Sequence, residues 1–323
     1  MTKHRVLDLF SGAGGFSQGF IQEGFKVVVA NDNWQPAAQT YRRNHYQTTF
    51  VEGDITDPGI KADIINKSIA AEVDIIIGGP PCKAYSMAGK RDPKDSRARL
   101  FNDYIDIVSA VKPKLVLMEN VPGILTAKIS DGNVVDLIKK RFDDIGYHVD
   151  FQKLNAADFG APQFRPRIIF VAVPKGKEIL FPTPTHGVGK GCKPYRTIRM
   201  AIDSLANKPD DFETSHLRPK HCQEFIDKIK ATPFGKNVGE YSEAFFKPFP
   251  DEPSRTVKAN NGSVFVHYSQ PRTMTPRELA RLQGFDDQFL FCGNKWDVFE
   301  QIGNAVPVQL SQALAKTCCK MKL

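Results

Sequence analysis

At 323 residues, 41% of them hydrophobic, the chain is long enough for one large domain or for a large and a small one. No apolar run approaches the ~18 residues of a membrane span, and MTKHRVLDLF enters a strand pattern at once without the apolar stretch of a secretory leader, so no membrane partner is expected and the location is read as cytoplasmic, at the nucleoid. A balance of 44 basic against 36 acidic residues gives +8, which favours a polyanionic partner, and six scattered cysteines without a CxxC pair argue for reduced thiols and no structural metal.

Up to about Val173, strand-like and helix-like segments alternate. VLDLF, KVVVAN, TTFVEG, VDIIIGG, KLVLMEN, HVDFQKLN and RIIFVAV are the strand candidates. Helices are expected over 14–23, closed by Gly24, and over 98–111 and 134–145, where apolar residues recur at three- and four-residue spacing. The pattern predicts an α/β fold with a doubly wound, mostly parallel, Rossmann-like sheet. From about 175 to 258 the character changes: 9 of the 22 prolines fall there and regular elements are hard to assign, as in a second, smaller irregular domain. Beyond it, TPRELARLQGF reads as a helix opened by Thr275 and Pro276, and VPVQLSQALAKTCCKM as a terminal helix with Pro307 in its first turn. The expected organisation is a catalytic domain over 1–174, the irregular domain over 175–266, and a return segment over 267–323 that completes the first domain and bridges to the second.

Several polar residues stand where strands end. DLFSGAGG at 8–15 follows a strand and opens a helix, so its glycines allow a ligand close to backbone amides at a helix N-terminus. It is neither the GxGxxG dinucleotide pattern nor a GxxxxGK[ST] triphosphate loop. Asp32, twenty residues after Gly12, is placed to hold both ribose hydroxyls of an adenosine, and Asp54 to accept from an adenine amino group; helix capping or a solvated loop is the alternative for each. Phe10 packs on the adenine edge or belongs to the core. Cys82 follows GGPP at another strand end, where a buried, inert thiol is the plainer reading. Glu119 ends the fifth strand, and QFRPR sets Arg165 and Arg167 at the start of the last, so a structural salt bridge is one account of them. In an open α/β sheet, however, ligands bind outside the strands' carboxyl ends. A thiol, a carboxyl and a guanidinium there suit nucleophilic addition to an electron-poor ring.

Taken in order, DLFSGAGG, Asp32, GDI at 53–55, GGPPC at 78–82, DSRARLF at 95–101, ENV at 119–121, QFRPR at 163–167, RELARLQGF at 277–285 and QIGNAVPV at 301–308 resemble the motif set of the DNA (cytosine-5) methyltransferases of the prokaryotic modification type. The resemblance spans nearly the whole chain apart from 175–258, where that family carries its target recognition domain. It implies that Cys82 adds to carbon 6 of a cytosine flipped out of double-stranded DNA, that Glu119 contacts ring nitrogen 3 and the exocyclic amine, and that Arg165 holds the carbonyl oxygen with Arg167 and Gln163 in support. Carbon 5 then takes the methyl group of S-adenosyl-L-methionine. The cofactor residues so implied are Phe10, Ser11, Gly12, Ala13, Gly14, Gly15, Asp32, Asp54, Ile55, Gly79, Pro81, Leu100, Asn304 and Ala305, and the DNA contacts Ser86, Lys90, Arg97 and Thr256. A monomer is expected, with a cognate restriction endonuclease acting separately as a further partner. A tRNA-modifying relative and a catalytically silent DNA-binding relative are the rival readings. The cysteine-phenylalanine-threonine signature of the former is absent, and the latter needs a broken trio, whereas Cys82, Glu119 and Arg165 are all present.

The chain departs from that pattern at Lys83, where glutamine usually follows the cysteine, at Tyr85, where phenylalanine is commoner, and at Asn33, where an aromatic often follows the ribose acid. A lysine beside the thiol favours the thiolate electrostatically, so methyl transfer is expected to survive with Lys83 in place. A wild type inert on every DNA, alongside an active Lys83→Gln variant, would contradict this.

Overall fold

The computed structural model describes residues 4–81, 96–129, 132–239, 245–259 and 265–322, with only the backbone of 96–99 and 129. All seven expected strands form one sheet. Its strands are β1 (Arg5–Leu9), β2 (Lys26–Asp32), β3 (Thr49–Glu52), β4 (Ile75–Gly78), β5 (Leu115–Asn120), β8 (Tyr147–Asn155) and β9 (Pro166–Pro174), while β6 (Lys128–Ile129) and β7 (Gly132–Asn133) pair antiparallel as a separate two-stranded sheet. The order across the sheet is β3-β2-β1-β4-β5-β9-β8. From β3 through to β5 the pairs are parallel, and β9 then runs antiparallel to β5, with Glu119 opposite Ile169 and Asn120 opposite Ile168. The start of β9 therefore lies beside the carboxyl end of β5. All of β4 and seven consecutive residues of β9 are buried, as expected of strands covered on both faces.

Helices α1 (Gly15–Gln22), α2 (Gln35–Asn44), α3 (Pro58–Ala70), α4 (Ser96–Val111) and α5 (Val134–Asp144) connect the strands. Lys61 of α3 reaches Asp103 at 2.5 Å and Asp106 at 3.0 Å and ties α3 to α4. Asp57 caps α3 by accepting from Gly59 and Ile60, with Pro58 in its first turn. The remaining helices are α6 (Ile198–Ile202), α7 (Gln223–Ala231), α8 (Pro276–Leu282), α9 (Lys295–Asn304) and α10 (Val308–Cys318). No helix among the described residues is long and apolar enough to cross a membrane.

The chain divides into two compact units, the first of Met1–Leu154, Pro166–Thr183 and Ser311–Leu323, the second of Asn155–Arg165 and Pro184–Leu310. In the first, the end of the chain packs on its beginning. The Ser311 hydroxyl donates to the Phe16 carbonyl at 2.5 Å, and a side-chain carbon at Gly19 would lie 2.4 Å from Ser311 Cβ, so only glycine allows this approach. The second unit is held, among its described residues, by isolated bridges such as Phe246 with Phe265 and by buried charged staples. Arg277 is fully buried and donates to the carbonyls of Thr214, Asp286 and Phe289, each at 2.7 Å. Buried Glu278 takes both Arg272 Nη atoms at 2.9 and 2.6 Å. α8 opens at Thr275 and Pro276 as expected, and Thr275 and Glu278 form a reciprocal capping box there. The terminal helix differs from expectation, since Pro307 precedes it and the Val308 amide is spent on the Gln283 carbonyl at 3.0 Å.

Beneath the first loop, Asp8 on β1 is 1% exposed and accepts from the Ser17 hydroxyl at 2.5 Å, and Ser17 Oγ lies 2.6 Å from the Tyr41 hydroxyl. Burial pushes the Asp8 carboxyl up to about 7; the Ser17 hydrogen bond opposes this and the charge of Asp32 adds to it. The folded chain thus keeps a proton that the unfolded chain releases near the ordinary value of 3.8, so this group's contribution to stability falls as pH rises from about 4 to about 7. Denaturant midpoints measured across that range for wild type and Asp8→Asn are expected to diverge, the wild type losing stability relative to the variant towards pH 7. Parallel curves would contradict a protonated Asp8.

Candidate active site

The loop after β1 is shaped from below and open above. Phe10 and Gly12 adopt left-handed backbone, with φ of 54° and 53°, and Gly14 caps α1 at φ 95°. A side chain at Gly14 would lie 2.5 Å from His45 Nε2, whereas one at Gly12 would meet no atom of the described residues within 4 Å, so the loop is packed at one glycine and, among these residues, open at the other. Burial holds the His45 imidazole down at about 4 and hence neutral. Asp32 ends β2 as expected. Its Oδ2 accepts from the Gly12 amide at 2.8 Å and its Oδ1 from Trp34 at 2.9 Å, fixing the carboxylate against the loop. Desolvation raises its pKa, and the Trp34 and Gly12 amides oppose the rise. The Asn31 side chain bonds the carbonyls of Val51 and Gly53 at 2.8 and 2.9 Å and so joins the ends of β2 and β3. Asp54 is exposed just beyond β3, with Oδ1 on the Thr56 amide, and Ile55 is buried beside it. Ser11, Ala13 and Gly15 are buried, and Leu100 packs partly buried against the core below.

Glu119 and Arg167 meet where β5 ends and β9 begins. Glu119 faces Ile169 in register, and Arg167, two residues back on the same face of β9, is its diagonal neighbour, within reach of a long side chain. Arg167 Nε lies 2.6 Å from Glu119 Oε1, with the two side chains 9% and 14% exposed. A side-chain carbon at Gly79 would sit 3.3 Å from Glu119 Oε2, which places the carboxylate against the GGPP turn. Asn120 locks the same turn by donating to the Pro80 carbonyl at 3.0 Å while its own oxygen accepts from Val121. Pro81 is exposed. The arrangement is a carboxylate and a guanidinium fixed to each other and to the turn that leads to Cys82. Cys82, Ser86 and Lys90 lie outside the described residues, as do Lys83 and Tyr85, and so does the side chain of Arg97, whose backbone belongs to α4.

Gln163 and Arg165 belong to the second unit and act there on backbone. Arg165 is 2% exposed and donates to the Val257 carbonyl at 2.7 Å and the Gly303 carbonyl at 2.6 Å. Gln163, fully buried, accepts from the Val257 amide at 2.8 Å and donates to the Leu282 carbonyl and Gln283 Oε1. Between them they hold both polar groups of the Val257 peptide. Thr256, next to it, donates its hydroxyl to the Phe164 carbonyl at 2.9 Å. Asn304 is the exposed last residue of α9, and Ala305 is buried with its carbonyl 3.3 Å from Gln283 Nε2. Two features escaped the sequence reading. Asp8 sits under the loop within a strand pattern, and α9 is announced by the Asn294 and Asp297 capping box, a signal present in the sequence.

The model of the C-5 cytosine-specific DNA methylase family matches residues 4–320. The chain is 36% identical to the Type II methyltransferase M1.HphI of Haemophilus parahaemolyticus, covering 98% of this chain and 86% of that one. It is 34% identical to the Type II methyltransferase M.DdeI of Desulfomicrobium norvegicum, covering 96% and 87%. Among solved structures, a prophage-encoded candidate DNA modification methyltransferase of E. coli superposes with a TM-score of 0.81 at 28% identity, covering 99% of each chain. The Dnmt2 methyltransferase of S. pombe shares the fold, with a TM-score of 0.64 at 19% identity over 98% of this chain and 99% of that one. The chain therefore belongs to the family of C-5 cytosine-specific DNA methylases.

Proposed function

We propose that the Glu119–Arg167 pair is the base-holding half of a cytosine-5 methyl transfer to duplex DNA, and that Cys82 supplies the attacking thiolate from the turn the pair adjoins. The observation that carries this reading is the 2.6 Å contact of carboxylate and guanidinium beside Gly79, three residues before the cysteine. A carboxyl at this point can hydrogen-bond ring nitrogen 3 and the exocyclic amine, and the guanidinium can donate to the ring carbonyl as negative charge develops on the pyrimidine. Addition of the thiolate to carbon 6 makes carbon 5 nucleophilic toward a methyl group; once carbon 5 carries the methyl, loss of its proton to a base and departure of the sulfur from carbon 6 restore the ring. The target base must leave the helix for this, at a cost of a few kcal/mol that protein contacts offset.

Geometry favours an exchange of roles within QFRPR. Arg167, expected as support, faces Glu119, and Arg165, expected on the carbonyl oxygen, gives both terminal nitrogens to backbone carbonyls of its own unit. We assign the base contact to Arg167, and to Arg165 and Gln163 the positioning of the Val257 and Gly303 backbone.

Membership of a methylase family requires a methyl donor, and the residues present fit S-adenosyl-L-methionine. Among the described residues Gly12 leaves its face of the loop open, Asp32 holds a carboxylate at that loop for ribose hydroxyls, and Asp54 is exposed for an adenine amine. When bound, that cofactor supplies an electrophilic methyl group. Phe10, Ser11, Ala13, Gly14, Gly15, Ile55, Gly79, Pro81 and Leu100 complete the proposed set within the first unit. Base-edge reading is assigned to the second unit within 175–266, whose basic and amide side chains match the donors and acceptors of the major groove. A Type II modification role follows the names of the relatives, and with it a cytoplasmic, nucleoid-bound monomer working apart from its endonuclease.

Duplex DNA carrying 5-fluorocytosine at the target is expected to trap wild-type protein as a denaturant-stable adduct, because fluorine cannot leave as the proton does; Cys82→Ala should form none. Absence of the wild-type adduct, or its persistence in the variant, would remove the mechanism. The exchange of roles has its own test. Arg167→Lys, which keeps a cation beside Glu119 but loses the bidentate fork, should lower kcat roughly 10²- to 10³-fold with a melting temperature near that of wild type. Arg165→Ala should instead lower the melting temperature, since it strands two buried carbonyls at ~1–3 kcal/mol each. The opposite pattern would return the base contact to Arg165.

A further inference from the structure

Within the second unit one arginine is held as if for a ligand. The Arg255 guanidinium lies 3.6 Å from the centroid of the Phe246 ring. Phe246 is 7% exposed, packs edge-on against Phe265 and is bridged through its backbone to Asn237 and Phe265, so the platform is part of the unit's core. Arg255 itself is exposed, and among the described residues its guanidinium has no ion pair or hydrogen bond. Stacking on an aromatic face engages the plane of a guanidinium and leaves its edge of N–H donors free for a bidentate oxyanion. The backbone beneath it is clamped at each step. Ser254 donates to the Pro162 carbonyl at 2.9 Å, Phe164 donates to the Ser254 carbonyl at 2.7 Å, and the Val257 peptide is held on both sides by Gln163 and Arg165. The neighbouring Thr256, expected to contact DNA, has its hydroxyl proton committed to the Phe164 carbonyl and so cannot donate it to a phosphate.

We infer that Arg255, stacked on Phe246, is the phosphate contact of this stretch, a rigid donor that grips the DNA backbone and sets the register of the second unit on the duplex. The inference rests on DNA being the substrate and names a contact within it. A preorganised guanidinium on a clamped segment loses little freedom when it binds, and a phosphate accepts its two parallel N–H groups whatever the base sequence.

The test is fluorescence anisotropy of the full chain with two duplexes, one carrying the sequence that bisulfite sequencing shows to be methylated and one lacking it, across a potassium chloride series. Arg255→Ala is expected to weaken binding about tenfold at low salt, by the same factor on both duplexes, and to reduce the slope of log affinity against log salt by about 1. Arg255→Lys should keep the slope and recover part of the affinity, and the methylated sequence should stay the same in both variants. An unchanged slope and affinity in Arg255→Ala, with or without a lower melting temperature, would make the stack a structural cover and overturn the inference. A loss confined to the methylated sequence would overturn it in favour of base reading. Wild type that binds neither duplex, or binds with no salt dependence, would instead bring down the DNA reading on which the inference stands.

Discussion

The antiparallel pairing of β9 with β5 is the constraint on which the reacting centre depends. In a sheet of parallel strands only, the residues entering β9 would lie at the opposite edge from the carboxyl ends of β1, β2 and β5. Reversal of this one strand brings its first residues to the edge that holds Asp32 and Glu119. Register then selects the partner. Opposite Ile169, Glu119 reaches diagonally to Arg167, and the ion pair forms where Asn120 already holds the GGPP turn. Both side chains are nearly buried, at 9% and 14% exposure, so each charge offsets much of the other's desolvation penalty, and the small exposed remainder faces the edge where a third partner would enter.

The glycine loop shows the same economy. Asp32 uses its carboxylate to fix the Gly12 amide, and the Asp8, Ser17 and Tyr41 chain supports the start of α1 from beneath. A loop that must present amides to a ligand cannot also satisfy them by regular secondary structure, so its shape is carried by side chains from the strands around it. The strictness of the Gly14 position follows from that support: His45 and Tyr41 fill the space that any side chain there would need.

Most of the first unit was legible because strands and their ends leave local marks. The alternation of strand-like and helix-like segments located all seven strands, and a polar residue at a strand's end located Asp32, Asp54 and Glu119. The division of labour in QFRPR was not legible. Spacing of two residues places Gln163, Arg165 and Arg167 on one side of an extended chain, but only the pairing register shows which of them meets Glu119, and register is a long-range property. The second unit was harder still. Its order comes from buried arginines bonded to carbonyls far along the chain, as Arg277 bonds Thr214 and Arg165 bonds Gly303, and such contacts impose no periodicity on the sequence around them. Proline-rich composition reported irregularity there without reporting what replaces regular structure.

Those polar staples bear on how a recognition surface can vary. A sheet constrains every second side chain by pairing and packing, whereas a segment held through its backbone carbonyls leaves its side chains unclaimed. Gln163 and Arg165 grip only the peptide of Val257, a contact that any residue but proline could make at that position. The stretch around Arg255 can therefore change its exposed side chains without loss of its path. An irregular, arginine-stapled unit is in this sense a better host for altered base preference than another layer of sheet would be, at the expense of placing buried cations whose loss the unit would not tolerate.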